Sequence, residues 1–205
     1  MSGFEIITIT FSFILGLGIT QILRAVAYVV REREQYQLHW IPISVATMVL
    51  LFQVQFWFAL VIVDSFVGHW TWTVYGVLLI LAIIIFLSGA TVLPPPGPSK
   101  TRNLIEDFAT RGKISLVFLA LYLLGWIVVA IMFWTGAFVH LVIVNSVMAA
   151  IATIAFLAQN QKARSVLHGM LIVMMLYGLV TVWTPPSLEE PLTSAFGGVK
   201  PTFKG

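Results

Sequence analysis

No cysteine occurs among the 205 residues. Disulfides, thiolate metal sites, covalently attached c-type haem and cysteine nucleophiles are excluded together. Charge is nearly as scarce: 9% of the chain is charged, against 60% hydrophobic. A soluble domain carries about a quarter charged residues, so this chain lacks the polar groups to cover a water-facing surface. Soluble enzymes, nucleic-acid binders and disordered regulators are excluded on that ground. The net charge of +3 rests on only eleven Lys and Arg, and a basic balance has meaning only once their positions are known.

Long apolar runs are what the chain has instead. A bilayer core of about 30 Å takes roughly 20 apolar residues as a helix, because a helix satisfies its own backbone in lipid. Six stretches qualify: Phe4–Val30, His39–Val63, Trp70–Leu93, Ile114–Trp134, Phe138–Ala158 and Val166–Thr184. The expected fold is therefore all-α, a polytopic bundle of six transmembrane helices in one domain, 1–184. Thr135, Gly136 and Ala137 alone separate the fourth and fifth spans, which predicts a tight antiparallel hairpin.

Basic residues set the orientation. Arg31 and Arg33 follow span one, Lys100, Arg102, Arg111 and Lys113 follow span three, and Lys162 and Arg164 follow span five. The loops after spans two and four contain none. Those three basic loops are expected in the cytoplasm and both termini outside. Lys200 and Lys204 lie beyond the last span. Trp40 at the inner end of span two, and Trp70, Trp72, Trp134 and Trp183 at outer ends, match interfacial anchors. The N-terminus has neither a basic segment nor a small-residue cleavage site, so span one reads as a retained helix.

Two segments fall outside the bilayer. Pro94-Pro95-Pro96-Gly97-Pro98 ends span three in a stiff, extended conformation. Beyond it, Leu104, Ile105 and Phe108 share one helical face with Glu106 and Asp107 turned elsewhere, which suits a short helix on the inner leaflet. The extracytoplasmic tail, 185–205, is rich in Pro and Gly and lacks the apolar residues for a core of its own.

An ionisable or amide group at lipid depth is the default functional suspect. Arg24 lies near the inner interface, where its guanidinium can snorkel, with Gln21 three residues back on the same face. Gln53 and Gln55 stand two residues apart in span two, so they point about 200° from each other and cannot share one cavity. Each of them, like Asn145 in span five, either hydrogen-bonds a neighbouring helix or lines a polar path. Gly16, Gly18, Gly76, Gly125, Gly169 and Gly178 suit close helix approach. No acid lies near a span centre, which argues against a proton-coupled pump.

The four histidines fall at two depths, His39 and His168 at inner helix ends, His69 and His140 at outer ends. Two such pairs are what two b-type haems would need for electron transfer across the bilayer. No sequence motif calls for a cofactor: HExxH, GxSxG, a phosphate-cradling Gly-Lys loop and a potassium filter are all missing. A faint internal echo pairs His39 with His140 and Pro94 with Pro185, which would relate two oppositely oriented halves.

The run Phe11-Ser12-Phe13-Ile14-Leu15-Gly16-Leu17-Gly18-Ile19-Thr20-Gln21-Ile22-Leu23 resembles the start of a group of small six-span bacterial proteins without a settled activity. Gln53-Val54-Gln55-Phe56-Trp57 is similar to a second stretch that recurs in them. The resemblance implies a bacterial inner-membrane setting and carries over no functional residue. The functional expectation is a non-catalytic membrane subunit in the lipid bilayer, assembling as a homo-oligomer or in a larger membrane complex. A small facilitative transporter or channel lined by Gln21, Asn145 and one of Gln53 or Gln55 is the alternative, and the two-haem carrier is the third.

Overall fold

Helices form along this chain because each apolar run closes its own backbone hydrogen bonds and the few polar side chains supply the caps. The computed structural model describes residues 3–34, 37–67, 70–95, 103–133 and 139–181. Its elements are α1 (Gly3–Arg31), α2 (Trp40–Phe66), α3 (Trp72–Val92), α4 (Leu104–Asp107), α5 (Ile114–Phe133), α6 (Val139–Leu157) and α7 (Gln161–Thr181). A π-helical turn, Phe108–Gly112, continues directly from α4. No strand forms among the described residues, and α1, α2, α3, α5 and α6 are long and apolar enough to cross a membrane.

The caps explain where helices begin. The Nδ1 atom of His39 accepts from the Ile41 amide at 3.3 Å, and Thr71 Oγ1 accepts from Val74 at 3.3 Å. Asn103 caps α4 through Ile105, and Asn160 caps α7 through Lys162. These are the short oxygen or nitrogen acceptors that the orphan amides of a first turn require. Within the helices, hydroxyls bond back to their own turn, as Ser12 does to the Thr8 carbonyl at 2.6 Å and Thr20 to Gly16 at 2.7 Å. A hydroxyl satisfied this way needs no water at lipid depth.

The first three long helices pack on one another, α5 lies against α3, and α6 separates α5 from α7. The two halves are therefore packed differently, and the internal echo in the sequence has no counterpart in helix packing. Helix α2 occupies the middle. Its Phe52 and Phe56 meet Tyr122 and Trp126 of α5, with ring centroids 5.6–6.2 Å apart, and the Tyr122 hydroxyl donates to the Phe52 carbonyl at 3.4 Å. Tilted and edge-on aromatic pairs of this kind add about 0.5–1.5 kcal/mol each to the area they bury.

The connections after α1, α3 and α6 gather at one end. Gln37 bridges to Asn103, Phe108 stacks edge-on against His168, and Lys113 Nζ lies 5.4 Å from the Phe156 ring centre. This end carries Arg31, Arg33, Arg111, Lys113, Lys162 and Arg164, and is called the basic end below. Lys100 and Arg102 lie outside the described residues, as do the hairpin at Gly136, the anchors Trp134 and Trp183, and the tail.

Two expectations need correction. Leu104 and Phe108 do not lie on a leaflet: both are only 1% exposed, tucked under the bundle, and Asp107 is buried with them. A single helical face was expected to meet lipid, yet the π-turn and the Gln37 contact wrap the segment into the protein instead. Close approach also holds for only some of the glycines. A Cβ at Gly18 would sit 2.6 Å from the Gln53 amide and one at Gly125 would strike Leu81, whereas Gly16, Gly76 and Gly169 face open space.

Candidate functional site

Apart from Ser88, whose hydroxyl donates to the Ser115 carbonyl at 3.0 Å and ties α3 to α5, the buried polar groups that bear on a site fall into three places. Gln53, fully buried, lies between α1 and α3: its Nε2 donates to the Ile85 carbonyl at 3.3 Å, and its carboxamide fills the gap above Gly18 and Gly89. The Oε1 atom has no partner among the described residues. This amide fastens α2 to α3.

Gln55 points the other way, as the helical period demands. It and Asn145 of α6 converge on one cavity closed by α7. Phe52, Met148, Met175 and Gly178 complete most of the lining, and no charged residue contributes. The space amounts to about 10 Å³, room for about one water molecule. Both residues are at least nine-tenths buried, and both line this cavity. A polar molecule in this cavity can hydrogen-bond the two amides, which an apolar one cannot.

The third place is the basic end. His168 is fully buried; Nδ1 donates to the Arg164 carbonyl at 2.7 Å, and Nε2 has no partner among the described residues. Helix α7 starts at Gln161, before the apolar run from Val166, which places His168 two turns inside the helix. Along α7, His168, Leu171, Met175 and Gly178 form one buried stripe joining this end to the amide cavity.

The other expected residues lie elsewhere. Gln21 is half-buried on α1, and Arg24 is exposed on the same helix; neither borders the cavity. His39 is occupied in capping α2 and stacks on Trp40, while His140 is exposed and meets Tyr177 edge-on at 5.6 Å. His69 lies outside the described residues. Among the described residues no three His, Asp or Glu side chains gather as a metal site would require.

Sequence reasoning missed Asp107 as a buried acid. Burial pushes its carboxyl above the ordinary carboxylate range, and the Arg111 guanidinium partly opposes that shift. It also missed Met148 and Met175, which in sequence look like any lipid-facing methionine. No family model, curated protein or solved structure matches this chain.

Proposed function

We propose that the chain is a non-catalytic integral membrane subunit, crossing a bacterial inner membrane six times with both termini outside, that assembles with itself or with a larger membrane complex. The sixth crossing is α7, whose apolar part follows the charged first turn. One observation carries the reading: the outward side of α1. Phe13, Gly16, Thr20, Leu23 and Arg24 fall on a single exposed stripe at helical spacing, and nothing within 4 Å would meet a Cβ at Gly16. Small residues let a partner backbone approach closely in lipid, and a guanidinium there favours an acidic or carbonyl partner. Native mass measurement in mild detergent tests this. A dimer or larger species that falls to the monomer on Gly16→Leu supports it; a wild-type monomer at every concentration overturns it.

A second reading, a small facilitative transporter or channel, is favoured by the shared cavity of Gln55 and Asn145. Its path would run along the α2–α6–α7 seam, without Gln21 or Gln53. Flux across proteoliposomes that Asn145→Leu removes supports it, and flux equal to that of empty liposomes refutes it. The two-haem reading has thinner support, since His39 Nδ1 is already committed to the Ile41 amide. A Soret band in the purified protein would restore it.

A further inference from the structure

We propose that the cavity between α2, α6 and α7 is a binding site for a single neutral molecule of the size and hydrogen-bonding type of water. This deepens the transport reading, on which it rests for its meaning, by naming water as the substrate class of that seam.

Size is the first ground. About 10 Å³ is room for about one water. Polarity is the second. A carboxamide offers two donors on nitrogen and an acceptor on oxygen. Gln55 and Asn145 thus present both kinds of group from two different helices, which matches a molecule that donates and accepts at once. Absence of charge in the lining is the third ground. An ion stripped of its shell loses tens of kcal/mol of hydration, and two neutral amides replace only a small part of it. Nor does a titratable side chain line the cavity to take up a proton.

The seam also offers a next station. On the buried stripe of α7, Leu171 lies between the cavity and His168, whose Nε2 is a buried polar atom without a partner among the described residues. The amide cavity and His168 Nε2 are thus two polar stations on one seam, a discontinuous file for water rather than an open pore.

The test uses the full chain in lipid bilayers with nitrogen-15 in its glutamine and asparagine side chains. Gln53, sealed between α1 and α3 and outside the cavity lining, is the internal reference. In water-edited solid-state NMR, the carboxamides of Gln55 and Asn145 are expected to gain magnetisation from water several-fold faster than that of Gln53. Gly178→Val fills the cavity, since its Cβ meets only Val144 at 3.5 Å, and should remove the difference. Equal isolation of all three carboxamides in the wild type overturns the proposal, whether or not the variant folds. Osmotic shrinkage of proteoliposomes separates site from path. Water contact without flux above empty liposomes keeps the site and refutes the transport reading, whereas flux with three equally isolated carboxamides refutes the site.

Discussion

Gln53 and Gln55 stand two residues apart, yet one is wedged into a sealed junction and the other opens onto a cavity. The difference is made by what faces each: two glycines and a carbonyl for Gln53, an amide and two methionines for Gln55. Because the Gln53 carboxamide already fills the space at Gly18, Gly18→Ala must displace it, with an expected loss of about 1–3 kcal/mol. Thermal unfolding in detergent reads that loss, and adding Gln53→Ala should recover part of it, since the two sites share one space. Asp107 gives a pH signature. Its folded pKa is raised above the ordinary 3.8, so the native state holds the proton more firmly than the unfolded chain. Stability therefore rises as pH falls through the raised value and levels off below 3.8. Asp107→Asn should flatten that slope in a series of melting curves; an unchanged slope would assign it to other groups.

At the scale of elements, the connection from Asn103 to Lys113 is the least expected part of the molecule. Its Leu104 and Phe108 seal the basic end, and Gly112 lets the π-turn close: a Cβ there would lie 2.9 Å from the Val92 carbonyl and 2.8 Å from the Phe108 ring. Backbone cannot yield as a side-chain end can. Gly112→Ala is therefore expected to cost about 1–3 kcal/mol and to make this connection the first site cut by limited proteolysis at the basic end. Helix existence was legible because twenty apolar residues admit few alternatives in lipid. Helix faces were legible where polar residues marked them, as the opposed directions of Gln53 and Gln55 show. The seating of Phe108 on His168 was not legible. It depends on a contact between residues sixty apart, in segments whose composition suits a membrane surface equally well.

The whole molecule is a bundle with its basic connections gathered at one end, and the lack of cysteine makes the sidedness directly measurable. Single substitutions Arg33→Cys and Lys162→Cys should be labelled together by an impermeant thiol reagent only from the cytoplasmic side, and Thr71→Cys, exposed at the far end of the bundle, only from the opposite side. Labelling of all three from one face would overturn the topology. The central place of α2 has a consequence for how the protein is made. Gln53 finds its carbonyl on α3, the very next helix to emerge, but the companions of Gln55 arrive with α6 and α7. At about 5–20 residues per second, the ninety residues from Gln55 to Asn145 take roughly 5–20 s to synthesise. Throughout that interval Gln55 of a nascent α2 is without those companions. On the proposed topology, α2 completes its polar surroundings only when the last two helices arrive.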